Sequence, residues 1–215
     1  MQKNELLFTI PANTTLSPRT SSLKSVLPEL DSLDEWMQLI LVMLFENQRP
    51  SSPWREYLSS SREWEVLLTV DILPQHFDTP MFWTEQELQE LEGTEILPRI
   101  GKQKSEEQYT QQLLPVITSH PDLFDREKCD INAFHRMGSL VLAYSFGSTT
   151  SSNDNDNDDN SEDEDQETEA QIAMVPLADM LNADPLKNNV SLYMYVKLIV
   201  GETISRGNDM GNESY

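Results

Sequence analysis

Three histidines and one cysteine carry the side chains of conventional acid–base, metal-binding and nucleophilic chemistry, and their spacing assigns them none of it. His76, His120 and His135 are scattered without metal-ligand spacing. His135 falls on an apolar-periodic stretch, where a packing or surface role is the plain reading. Cys129 follows Lys128 in a polar loop with no partner placed to activate a thiolate. There is no Gly-rich phosphate loop, GxSxG elbow, HExxH helix or paired-cysteine site. What stands out instead is one segment near the C-terminal end, Met174-Val175-Pro176-Leu177-Ala178-Asp179-Met180-Leu181-Asn182-Ala183-Asp184, in which a polar loop follows a short apolar strand.

The elements that must position this loop belong to an acidic chain of 215 residues, long enough for one domain carrying an insertion. The formal net charge is -22, and the hydrophobic fraction of 38% lies below the globular average. From Asp154 to Glu169 there are ten acidic residues and no basic one. Binding to a phosphate backbone needs a basic stripe, and none is visible, so nucleic acid is not expected as a direct partner. A basic protein or peptide suits the charge better. A lone cysteine excludes an internal disulfide framework and any Cys-rich zinc cluster; no metal is expected. The longest apolar run, Leu39 to Phe45, is far short of the roughly 20 residues that span a bilayer. The N-terminus, with Glu5 and only a short apolar stretch, does not read as a signal peptide. The expectation is a protein of the nucleus or cytoplasm with no membrane partner.

Along the chain, Leu6, Leu7, Phe8 and Ile10 read as a strand stopped by Pro11. Thr14 to Ser25 reads as connector. Ser32 and Glu35 have capping-box spacing before Trp36 to Glu46, an almost wholly apolar stretch that predicts a buried helix. Thr84 and Glu87 repeat that signal before a short helix that Gly93 can end. A polar helix is expected from about Ser105 toward Leu114, disturbed at Pro115. Asp130 caps an apolar-periodic helix through Ile131, Phe134, Met137, Val141 and Leu142. Ser148 to Gln171 is almost entirely polar and cannot offset the entropy of chain ordering, so it reads as a disordered spacer. Ile172 to Val175 and Leu192 to Val200 read as strands.

The segment from Met174 to Asp184 resembles the "VPxADxLN" motif of SET-domain protein-lysine methyltransferases, in the class related to plant Rubisco methyltransferases and close to fungal ribosomal-protein lysine methyltransferases. Further pieces agree in order and spacing. Glu5 to Pro11 resembles the family's early "ELLFxIP" strand. Trp54-Arg55-Glu56-Tyr57, Leu73-Pro74 and Thr79-Pro80-Met81-Phe82-Trp83 resemble parts of the family's insertion. His120-Pro121-Asp122-Leu123-Phe124 matches "HPDLF", and Ala143-Tyr144-Ser145-Phe146 matches the "AYSF" that closes the insertion.

The resemblance implies an α+β fold: a β-rich SET core, incomplete here, interrupted by a large, mostly α-helical insertion. The segments would be 1–29, an N-terminal SET strand segment; 30–146, the insertion; 147–171, the disordered acidic loop; and 172–215, a C-terminal SET segment. It implies S-adenosyl-L-methionine as cofactor and a lysine of a basic protein or peptide as substrate, with a ribosomal or nuclear protein as target. Asn182 matches the residue whose amide, donor and acceptor together, reads the adenine edge; by itself an Asn there is a turn or cap residue. Ala183 stands where the family often has His, so only a main-chain contact carries over. Tyr144 matches a position at the cofactor, Ser145 one at the substrate, and Trp54 an aromatic near the lysine groove. Core or cap packing is the competing reading for all three.

Two departures from the family bear on activity. The Gly-x-Gly that precedes the "ELLF" strand in the family does not appear before Glu5. Ile204-Ser205-Arg206-Gly207 begins the family's closing motif, but with Asn212 aligned, Ser214 occupies the tyrosine position and Tyr215 falls one place late. Tyr215 is therefore the sole, out-of-register candidate for the catalytic tyrosine. The expectation is a truncated or divergent copy without methyltransferase activity as written. The alternative is a non-catalytic fragment serving as a protein-interaction module, and a third reading is a degenerate product.

Overall fold

In the computed structural model, which describes residues 8–58, 73–74, 76–148 and 171–179, helices dominate. Their order is α1 (Leu23–Val26), α2 (Glu35–Gln48), α3 (Trp54–Leu58), α4 (Glu85–Gln89), α5 (Ile96–Ile100), α6 (Lys102–Gln108), α7 (Leu114–Ser119) and α8 (Ile131–Tyr144). Two strands follow, β1 (Ser145–Ser148) and β2 (Gln171–Met174). All described residues lie in one unit, Met1–Ala183; a second, Asp184–Tyr215, falls outside them.

The frame is α2 packed against α8, each fourteen residues long and each opened by an aspartate. Asp130 caps α8 as expected, its carboxylate accepting from the Ala133 amide at 2.8 Å. The cap of α2 is a correction. Asp34, not Ser32, accepts the Met37 amide at 2.9 Å. Ser32 closes a 3-10 turn, Pro28–Ser32, and its hydroxyl donates to the Glu29 carbonyl at 2.6 Å. Asp34 wins because its extended backbone directs its side-chain acceptor at the first orphan amides. Every residue from Leu39 to Glu46 is buried, the all-round burial that the apolar run predicts.

Phe134, Met137, Gly138, Leu140 and Val141 form the buried stripe of α8, whereas Leu142, one residue round the helix, is 79% exposed. Gly138 permits the close approach of α2, since a Cβ there would lie 3.1 Å from the Trp36 ring. Trp36 meets Phe134 edge-on at 6.0 Å between centroids.

The Thr84 capping box is formed at both halves, at 2.7 and 3.4 Å, and Gly93 turns the chain at φ +82°. The expected disturbance at Pro115 is displaced upstream. α6 runs through a π-turn, Tyr109–Leu113, into α7, with Pro115 in that helix's first turn. A proline there removes one amide donor and crowds the carbonyl four residues back, and the wider π-turn relieves both.

β1 and β2 are antiparallel, with Ser145 opposite Met174 and Ser148 opposite Gln171. On the far edge of β2, Leu16 exchanges both backbone hydrogen bonds with Met174, each 2.9 Å. Both main-chain groups of Met174 thus face Leu16, so Ser145 and Met174 form the non-hydrogen-bonded type of pair, whose side chains lie closer. The stretch expected as mere connector is therefore structural: Leu16 and Leu23 are fully buried. Residues 8–10 adopt no strand, which corrects that part of the expected N-terminal strand; Leu6 and Leu7 lie outside the described residues. So do Leu192 to Val200 and, between Ser148 and Gln171, the acidic tract. Of the β-rich core, the described residues show two short strands and one bridge. Among the described residues no helix is long and apolar enough to cross a membrane.

Candidate functional site

The turn after β2 is held by a residue from the helical block. The Tyr57 hydroxyl, on α3, donates to one carboxylate oxygen of Asp179. Burial, then the hydrogen bond and charge of Asp179, push the Tyr57 phenol well above its ordinary range, so it is a fixed neutral donor. The other oxygen, Asp179 Oδ1, is buried and has no hydrogen-bond partner among the described residues. The Asp179 amide donates to the Val175 carbonyl at 3.3 Å. Within this turn Leu177 has φ +75°, a left-handed conformation that a branched side chain adopts only when its surroundings enforce it.

Trp54 opens α3 and meets Tyr57 edge-on, with ring centroids 5.8 Å apart. The spacing of three residues puts the two rings on one helix face. Behind them lies a buried relay. Glu46 on α2 is 4% exposed, and its two oxygens accept from the hydroxyls of Ser21 at 2.9 Å and Ser52 at 2.6 Å. Those hydroxyls in turn accept from the Leu23 amide at 3.2 Å and the Trp54 amide at 3.1 Å. One buried carboxylate thereby anchors both the N-terminal segment and the start of α3.

Tyr144 is the last residue of α8, half-buried and packed against the core, and Ser145 begins β1 opposite Met174. The structure thus links two of the predicted residues to the segment from Met174 to Asp179. Trp54 reaches it through Tyr57, and Ser145 through the strand pair. Asn182, Ala183 and Tyr215 lie outside the described residues.

Tyr57, Asp179 and Glu46 are the residues that sequence reasoning left without a role. Each carried a signal: Tyr57 lies three places after Trp54, Asp179 lies within the strongest motif, and Glu46 is an acid closing an apolar run.

Conventional nucleophiles are as unpromising in space as in sequence. Cys129 is fully buried, and burial with Asp125 and Asp130 nearby pushes its thiol up to about 12. His120 Nδ1 lies 3.1 Å from the Val116 carbonyl, and His135 is enclosed among Phe82 and Phe134. Among the described residues no group of three His, Cys, Asp or Glu side chains could hold a metal. A cleft of about 200 Å³ beside Trp36, Phe134 and His135 includes none of Trp54, Tyr144 or Ser145 in its lining. What the described site can do is orient: it holds a turn against an aromatic pair and offers no group for covalent chemistry.

Comparison with known proteins gives this arrangement a context. No family model matches the chain. It is 34% identical over 222 residues to the N-lysine methyltransferase setd6 of Danio rerio, covering 99% of this chain and 45% of that protein. It is 36% identical over 189 residues to the N-lysine methyltransferase setd6 of Xenopus tropicalis, covering 85% of this chain and 38% of that protein. The chain thus spans less than half the length of these curated relatives. Among solved structures, the SET domain of LSMT bound to lysine and AdoHcy superposes with a TM-score of 0.61 at 22% identity, covering 86% of this chain and 36% of that one. In fold this chain resembles a solved SET domain, and in sequence it is similar, along nearly its whole length, to proteins named as N-lysine methyltransferases.

Proposed function

We propose that this chain is part of an S-adenosylmethionine-dependent protein-lysine N-methyltransferase whose target is a basic segment of a ribosomal or nuclear protein, met in the nucleus or cytoplasm. The observation that carries the reading is the likeness, along 99% of the chain, to a protein named as an N-lysine methyltransferase. The fold likeness to a SET domain solved with lysine and AdoHcy supports the same cofactor and substrate class. Among the described residues, the half-buried Tyr144 ring, packed against the core at the joint between α8 and β1, supports this reading of the cofactor side.

In this reading Asn182 holds the adenine edge through its amide, Ala183 contributes its main chain, and the Tyr144 ring packs on the cofactor. Trp54 and Ser145 line the lysine side, and Tyr215, one place out of register with the family's tyrosine, is the candidate for the catalytic hydroxyl. The cofactor supplies a methyl group on a sulfonium, and the protein's task is alignment with a neutral amine. Methyl transfer of this kind needs no nucleophile from the protein, which agrees with the inert Cys129 and the non-ionising Tyr57.

Titration calorimetry of the chain with S-adenosylhomocysteine tests the reading. Binding is expected, weakened about tenfold or more in Asn182→Ala, because an unpaired buried adenine partner costs about 1–3 kcal/mol. No binding, or equal affinity in the variant, would overturn it. Binding of a basic peptide alone would favour the interaction-module alternative.

A further inference from the structure

We infer that Tyr57 and Asp179 are positioning residues that latch the segment leading to Asn182 onto the helical block, coupling the cofactor side of the site to Trp54 on the substrate side. The inference rests on the roles proposed above for Asn182 and Trp54.

The turn from Pro176 to Asp179 is a costly structure for its sequence to adopt unaided. Leu177 holds a left-handed backbone while its side chain is 62% exposed, so little packing of its own enforces that conformation. Hydrogen bonding within the turn is weak too, since the Asp179 amide reaches Val175 at 3.3 Å, beyond the usual range. Among the described residues, further restraints come from the buried Val175 and Ala178 and from the Tyr57 bond to Asp179.

The other end of the latch is well fixed. The Tyr57 ring is buried, its neighbour Trp54 is tied through Ser52 to the buried Glu46, and α3 packs on α2. Asp179 stands three residues before Asn182 in the sequence. Trp54 leans on the same ring that holds Asp179. Occupation of the lysine side therefore bears on the restraint of the cofactor side, which is a coupling in the thermodynamic sense and acts equally in reverse.

The test compares Tyr57→Phe, Asp179→Ala and Asp179→Asn by thermal melting, hydrogen-exchange mass spectrometry over residues 175–183, and S-adenosylhomocysteine calorimetry. Tyr57→Phe keeps the ring and deletes the donor; Asp179→Asn keeps an acceptor oxygen. Tyr57→Phe and Asp179→Ala are expected to raise exchange in that segment and weaken the ligand by about 5- to 10-fold, within the usual span of site coupling. Asp179→Asn should stay near wild type in both, and the double variant should be no worse than the poorer single. A lowered melting temperature with unchanged exchange and affinity would make the pair a plain stabilising contact and overturn the inference, as would equal loss in Asn and Ala variants. Should Asp179→Ala fail to fold, Tyr57→Phe decides alone. Failure of the wild-type chain to bind the ligand would overturn the reading of Asn182, while the exchange measurement still decides whether the latch exists.

Discussion

The Tyr57 hydroxyl donates to the Asp179 carboxylate across 122 residues of sequence, joining α3 to the turn after β2. Deleting the hydroxyl in Tyr57→Phe leaves a partly buried carboxylate short of a donor, at an expected cost of about 1–3 kcal/mol. The phenol's pKa is raised in the fold above the unfolded value of about 10. Its stabilisation is therefore complete below pH about 10 and is lost as pH rises toward the folded value. Urea midpoints at neutral pH and above pH 10 should fall more steeply for wild type than for Tyr57→Phe. Parallel slopes would show that the bond carries no linkage.

His135 supplies the acid counterpart. Burial lowers its pKa below 6.5 and Lys102 acts in the same direction, against the pull of Glu106 at 3.7 Å. The unfolded imidazole takes up a proton near pH 6.5 while the folded ring resists, so its contribution is full above that pH and falls as pH falls. Between pH 7 and pH 5, His135→Phe should lose less stability than wild type, and Glu106→Gln should lose more. Denaturant titrations at the two pH values check both signs.

Glu46 holds two hydroxyls that each hold a backbone amide. Glu46→Ala is expected to cost about 2–4 kcal/mol, more than an exposed carboxylate could, because a cavity and two unpaired hydroxyls remain. Ser52→Ala should cost about 1 kcal/mol. The two losses should not add, since they share one network. Chemical denaturation of the singles and the double measures this, and additivity would count against the relay.

The displaced cap of α2 gives a direct comparison. Asp34→Ala should destabilise by about 1 kcal/mol, whereas Ser32→Ala should change stability by less than about 0.5 kcal/mol. The reverse order in thermal melts would restore Ser32 as the cap.

Ser148 and Gln171 face each other in the hairpin register, so residues 149–170 leave and return at neighbouring points. A hairpin needs only two to five residues there. Read as unstructured chain, the acidic tract adds about 1.5 kcal/mol of loop-closure cost over a four-residue turn, at about 0.6 kcal/mol per doubling. Replacing it with such a turn should raise stability by up to that amount and keep unfolding cooperative. Loss of cooperativity would mean that the tract takes part in the fold.

What the chain made legible was local. The Thr84–Glu87 box, the Asp130 cap, the burial of Leu39 to Glu46 and the strand at Ile172 all depend on residues within a few places of one another. Even there, two capping candidates two residues apart are misordered by spacing alone, because Ser32 closes a 3-10 turn while Asp34 opens α2. The motif series named Trp54, Tyr144, Ser145 and Asn182. It could not pair Leu16 with Met174, Tyr57 with Asp179, or Glu46 with Ser21 and Ser52. A tyrosine and an aspartate far apart in sequence have no local energy to report their meeting. Their contact exists because α3 and β2 both pack on α2, and that packing brings together groups whose partners no spacing rule encodes.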